Sequence, residues 1–411
     1  MIYAPLSFSR RQLLLGGGAL LFTSAFNPRL ASAQSRDPRF VVMILRGALD
    51  GLSAVPPVGD PAYASHRQDI ALSLSGNLPA LPLDGFFALH PKLPVLSSLY
   101  AAGEMTVVHA AASPYRERSH FDGQDVLESG YERTGRVDSG WLNRLFAAVP
   151  SGNPVPGPRV LGVGASAPLI VRGPAPIMGW APTTFRQPHD DLSSRVLDLY
   201  RHLDPALGEA LAAGIEAVDV VENAEGAMGK AKTDGLQAGE KSMIETATGA
   251  ARLLASPGGP RLASLSFNGW DTHAREGGAE GRLASLLSGL DQAIAAMKTN
   301  LGPAWNHTVI MVVTEFGRTV HVNGTFGTDH GTATVALLIG GAVAGKRMIA
   351  DWPGLRAAEL YEGRDLKPTV DLRSIFKGVA RDHLGVPENV LGSGVFPGSE
   401  TVKPQRGLLK A

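Results

Sequence analysis

FVVMILRGALDG, residues 40–51, is the stretch whose reading decides the fold. Phe40 to Leu45 are six apolar residues without a polar interruption, so a strand made from them must be covered on both faces, as in a parallel sheet between helices. The chain then leaves through Arg46 and Gly47 and reaches Asp50, backed by Gly51. A carboxylate at the end of a parallel strand is a common place to hold a metal or a substrate, and Asp-Gly is equally an ordinary turn.

Five further runs share that character. MTVVHAA (105–111), RVLGVG (159–164), LASLSF (262–267), TVIMVVT (308–314) and TVALLIGG (334–341) are short, apolar and bounded by turn residues. Between them Leu283, Leu286, Leu287, Leu290, Ile294 and Met297 recur at spacings of three and four, which predicts a helix with one face on the sheet. Strands alternating with helices indicate an α/β domain with a mostly parallel sheet. Residues 190–255, rich in Ala, Glu and Lys and without strand signals, read as a helical insertion over the core, and 146–158 reads as a Pro/Gly/Ser loop.

Composition narrows the function. The 411 residues are 44% hydrophobic with zero formal net charge, enough for a sizeable core and with no electrostatic pull toward nucleic acid. There is no cysteine, so any metal must take His, Asp or Glu. At the N-terminus Ser9-Arg10-Arg11 precedes the Gly-diluted apolar run LLLGGGALLF, and Ala31-Ser32-Ala33 follows as a small-x-small cleavage site. This is the pattern of a twin-arginine signal peptide over 1–33, too short and interrupted for a stable membrane span. It predicts a mature domain of 34–411, carried by the twin-arginine export machinery to the periplasm or beyond.

Acids and histidines collect at the strand ends. Asp50 follows the first strand, Asp271 and His273 follow LASLSF, Glu315 follows TVIMVVT, and Asp329 with His330 precedes TVALLIGG. Imidazoles mixed with carboxylates suit zinc or manganese, with calcium the choice for carboxylates alone. His90, His109 and His383 read as structural.

These motifs carry a resemblance. SHFDGQD (119–125), LRGALDG (45–51), NGWDTH (268–273), TEFGRT (314–319), GTDHG (327–331) and PTVDLRSIFKGVARDHLGV (368–386) resemble the bacterial domain-of-unknown-function 1501 family across nearly the whole mature chain. That family is similar to the alkaline phosphatase and sulfatase superfamily, which implies an alkaline-phosphatase-like fold with metal ligands at the strand ends. The resemblance implies Asp50 as the first metal aspartate, Asp271 and His273 as an Asp…His metal pair, though one residue apart rather than three or four, and His330 as the late histidine. Glu315 and Phe316 lie where many members have Asp-His-Gly. Phenylalanine cannot ligate, so a full dinuclear centre is in doubt, unless Asp329-His330 is the counterpart and the assignments exchange.

The resemblance also implies a nucleophile at a helix start. Ser119, ten residues before Ser129-Gly130, is the candidate, and with Asp122 it is equally a helix N-cap. His120 beside it is the alternative functional group, as ligand or acid, and Arg46, Arg116, Arg118 and Arg318 are candidate anion holders. Two functions follow: an exported metal-dependent hydrolase acting on a phosphate or sulfate ester of a small molecule or glycan, or a degenerate, non-catalytic member that binds a ligand or partner in an export or surface-assembly system.

Overall fold

The structure, a computed structural model, describes residues 37–135, 137–150, 160–164, 167–182, 200 and 238–410. The segment read as a signal peptide, residues 151–159 and most of the segment read as an insertion lie outside the described residues. From Asp37 on, the described chain forms one compact unit.

Its centre is the strand made by the opening stretch. β1 (Arg39–Arg46) is buried from Arg39 to Leu45, between β7 (Leu262–Asn268) and β8 (Thr308–Val313), both parallel to it. β2 (Leu81–Pro82) and β3 (Ala88–Leu89) form a separate hairpin. The sheet runs β10 (Arg347–Ile349), β4 (Met105–Ala112), β9 (Thr334–Ile339), β8, β1, β7, β5 (Val160–Val163), β6 (Ile177–Trp180), and β11 (Val370–Asp371) pairs with the end of β4. Only β9 is antiparallel to its neighbours among these described strands. The α/β, mostly parallel reading therefore holds. All six expected strands are present within two residues of their expected ends.

The uninterrupted apolar run has the consequence expected of it. Val41, Met43 and Leu45 face one layer and Phe40, Val42 and Ile44 the other, because successive side chains of a strand point to opposite faces. On the first face lie the helices Ala238–Ala255 and Arg282–Leu301. The expected stripe of the second is present, with Leu283, Leu287, Leu290, Ile294 and Met297 buried and Leu286 partly so. The described end of the segment read as an insertion, Ala238–Ala255, is itself a core layer, burying Met243, Ala247, Ala250 and Leu254. On the second face, Trp141, Phe376 and Phe396 stack together. Among the described residues no helix is long and apolar enough to cross a membrane.

His90, His109 and His383 are structural as read: their Nε2 atoms lie against the carbonyls of Gly278, Val55 and Arg39 at 3.0 Å each. Burial pushes His109 down to about 4. In the native state the ring is then neutral, whereas an unfolded histidine takes up a proton near pH 6.5. The unfolded state binds more protons between those values, so this residue's contribution to stability rises as pH rises from about 4 to about 6.5. His109→Gln, compared with wild type by denaturant unfolding, should cost less stability at pH 5 than at pH 7.5; an equal or larger cost at pH 5 would contradict a neutral buried ring.

Candidate metal centre

The topology gathers the chemistry at one edge. β1, β7 and β8 end side by side, so Gly47, the loop to Asp271 and Glu315 leave the sheet together. Because β9 runs the other way, its beginning lies at this same edge and brings Asp329 and His330 with it. After β4 the chain crosses to the helix His120–Ser129, which ends at Gly130 in the left-handed conformation, as the Ser129-Gly130 pair suggested.

Three side chains meet there. Single ligand atoms of His120, Asp271 and His330 lie within 4.8 Å of one another. His330 Nε2 is 3.4 Å from Asp271 Oδ1, and His120 Nε2 is 3.6 Å from Asp271 Oδ2. His273 joins from the open side, its Nε2 being 3.1 Å from Asp271 Oδ1 and 2.9 Å from His330 Nε2.

The outer nitrogens explain why the inner ones converge. His330 Nδ1 lies 2.9 Å from the Arg118 carbonyl, His120 Nδ1 2.8 Å from Glu315 Oε1, and His273 Nδ1 3.2 Å from Asp329 Oδ1. A carbonyl and two carboxylates only accept, so each Nδ1 carries a hydrogen and each ring turns its Nε2 inward; the hydrogen bond to Glu315 also raises the pKa of His120, so a metal there would compete with a proton. His273 Nε2 and His330 Nε2 face each other at 2.9 Å, a contact satisfied either by a proton on one of them or by a cation that both ligate. Beside them His120 Nε2 is buried with no hydrogen-bond partner. Burial lowers the pKa of His330, which favours the neutral form a metal needs. Asp271 is held below the usual carboxylate range despite its partial burial, because Arg318 Nη1 donates to it at 2.7 Å. The donor set fits a metal ion.

The sequence-predicted residues therefore divide. Asp271 and His330 are in the cluster and His273 borders it. His120, read as ligand or acid, turns its Nε2 toward Asp271 and belongs to the same cluster. Glu315 and Asp329 stand one step out, each holding a histidine. Glu315 is buried, and although burial raises its pKa, hydrogen bonds from His120, Gln124 and the Gly47 amide keep it ionised. Asp50 is turned away. Its Oδ2 is 2.5 Å from Arg67, its Oδ1 accepts the Ser53 amide, and both side chains are buried, so the carboxylate is already neutralised and caps a short helix, Gly51–Ala54. Phe316 stacks on the His120 ring with centroids 5.0 Å apart.

Ser119 takes the N-cap position of its helix but makes no side-chain cap bond, leaving the first-turn amides uncapped. The arginines are mostly engaged. Arg46 bonds Gln124 and Glu128, Arg116 bonds the carbonyls of Ser113 and Tyr115, and Arg118 pairs with Asp365 and Glu362. Arg118 sits at φ +63, a conformation that costs a non-glycine residue roughly 1–3 kcal/mol. Its two ion pairs hold it there, and its carbonyl is the one that orients His330. A backbone carbonyl has no sequence signature, and neither does Arg67, seventeen residues from its carboxylate; a basic residue in a polar turn was the only available cue.

Residues 90–393 match the family described as "Protein of unknown function (DUF1501)". No curated protein matches. Among solved structures, similarity is found to a protein in the alkaline phosphatase superfamily from Vibrio parahaemolyticus, at 10% identity and TM-score 0.42 over 97% of this chain and 80% of that one. Phosphonate monoester hydrolase of Agrobacterium radiobacter is similar at 13% identity and TM-score 0.39, over 90% and 78%. A third, i-CgsB in complex with k-i-k-neocarrahexaose, gives 12% and 0.42 over 90% and 77%. These are loose likenesses.

Glu315→Gln keeps the size of the side chain but removes the charge that orients His120. Titration calorimetry with zinc should show metal affinity reduced by about 10–100-fold, the range typical of an outer partner; unchanged affinity would mean that His120 is not a ligand.

Proposed function

The chain belongs to the DUF1501 family, and on the geometry of its strand-end site we propose that it is an exported, metal-dependent hydrolase of a phosphate or sulfate ester. The observation that carries this reading is the set of inward-facing Nε2 atoms around Asp271, each ring locked by an acceptor on its outer nitrogen. His120, Asp271 and His330, with His273, would hold the ion, and imidazoles with one carboxylate favour zinc or manganese over calcium. A divalent ion bound there supplies Lewis-acid polarisation of an ester oxygen.

The chain's own residues supply the rest. Ser119, at the start of the helix that carries His120, is the proposed nucleophile. The uncapped amides of that first turn lie at the positive end of the helix and suit the anionic oxygens of the ester. Arg318 holds Asp271 in place. Glu315 at the edge of the His120 ring and Phe316 against its face fix its plane.

Export rests on the N-terminal pattern alone, Arg10-Arg11 with Ala31-Ser32-Ala33, and supports a periplasmic or secreted location. A single phenylalanine, Phe316, favours the other reading, binding without turnover, because it closes the place of a second metal histidine.

Purified protein loaded with zinc or manganese should hydrolyse members of a panel of phosphate and sulfate monoesters, lose that activity to chelator, and lose at least about 10³-fold of it in Ser119→Ala. No turnover of any ester by protein carrying stoichiometric metal would leave the binding reading in place. Replacing Arg10 and Arg11 together by lysine should block export of a fused reporter; undiminished export would point to the general secretory route.

A further inference from the structure

Beside the metal centre, on the outer side of the helix His120–Ser129, lies a cleft of about 430 Å³. That is within the range of small-ligand sites. Its lining is linked to the centre through two neighbouring residues. Gln124 lines the cleft and donates to Glu315, which holds His120, and Phe121 on its rim is the next residue after His120.

The lining describes a ligand. Arg46 pairs with Glu128, and Arg172 and Asp125 add one charge of each sign to the lining, so formal charges cancel and the cleft has no net pull on a polyanion. Its groups are planar and hydrogen-bonding: the amides of Gln124 and Asn268, the Asp125 carboxylate and the Arg172 guanidinium. Arg46 Nε and Ser266 Oγ lie buried in its wall with no hydrogen-bond partner. Against this polar wall stands one large apolar surface, the Phe121 ring, 90% exposed. A ligand that covered this ring would take its apolar face out of water. A sugar ring matches both halves, with hydroxyls for the planar groups and a C–H face for the phenyl ring.

We propose that the cleft binds the saccharide portion of the substrate, so that the ester cleaved is a sugar ester. This rests on the hydrolase reading for the word ester, but the binding does not need the metal. The test is therefore made on chelator-treated, metal-free protein, by calorimetry with unesterified di- and trisaccharides (maltotriose, cellotriose, galactobiose and chitobiose), with glycerol and myo-inositol as polyol controls and sodium sulfate as an anion control. At least one saccharide should bind, more tightly than either polyol. Phe121→Ala should weaken it by about tenfold, the loss expected for one aromatic contact, and Asn268→Ala should also weaken it. Both positions are exposed, so both variants are expected to fold, which circular dichroism checks. No saccharide binding, sulfate binding alone, or equal binding by Phe121→Ala overturns the proposal. Saccharide binding in a protein that hydrolyses nothing would sink the hydrolase reading and leave the cleft assignment standing.

Discussion

The Glu315 carboxylate is the contact on which the site depends. It sits at the end of β8 and accepts hydrogen bonds from the Gly47 amide at 2.9 Å, from His120 Nδ1 at 2.8 Å, from Gln124 at 3.1 Å and from the Thr314 hydroxyl at 2.8 Å. One buried anion thus ties the end of β1, the end of β8 and the start of the helix that carries His120. A buried charge is tolerated only when it is multiply hydrogen-bonded or paired, so these partners cannot drift far from the carboxylate. The ring of His120 inherits that fixity. Gly123 shows how tightly the helix is seated, since a Cβ there would lie 2.9 Å from the Phe316 ring and 3.3 Å from Glu315 Cβ.

A second buried network supports the opposite side of the edge. Arg67, fully buried, is shared by Asp50 and Glu276 at 2.5 and 3.5 Å. Burial and the neighbouring Asp50 charge push the Glu276 carboxyl well above the usual range, so a single guanidinium serves two acids because one of them keeps its proton. Hydroxyls of Ser53, Thr272 and Thr328 satisfy the remaining lone pairs of Glu276. Thr328 also meets Asp50 and Arg318, and Arg318 reaches Asp271. The loops bearing Asp271 and His330 are anchored through this network. Removing one partner would leave a buried charge unmatched, at a cost of about 3–5 kcal/mol.

Much of the fold was legible because it is written in local patterns. Six apolar runs became six strands, and a stripe of leucines became the helix Arg282–Leu301. Five strands, β2, β3, β6, β10 and β11, went unread: they have two to four residues, too few for a period. The antiparallel course of β9 is set by its connections, not its composition, yet it delivers His330. At the site, strand-end position drew attention to Asp271, His273 and His330, which lie together, and to Glu315 and Asp329, which were expected as ligands and instead hydrogen-bond to His120 and His273. It misjudged Asp50, whose fate depends on Arg67, a residue from another turn that no motif links to it. His120 was visible, but which of its nitrogens faces the cluster is set by the Glu315 hydrogen bond, which only the packed structure reveals.

The central claim is that His120, Asp271 and His330 are ligands of one ion. A crystal of the zinc-loaded protein, with data on both sides of the zinc absorption edge, tests it directly. The account predicts one anomalous peak at this edge of the sheet, about 2.0–2.1 Å from the Nε2 atoms of His120 and His330 and within about 2.2 Å of an Asp271 oxygen. A zinc peak at Asp50 or Glu276, or no ordered zinc near these three residues at saturating metal, would contradict it.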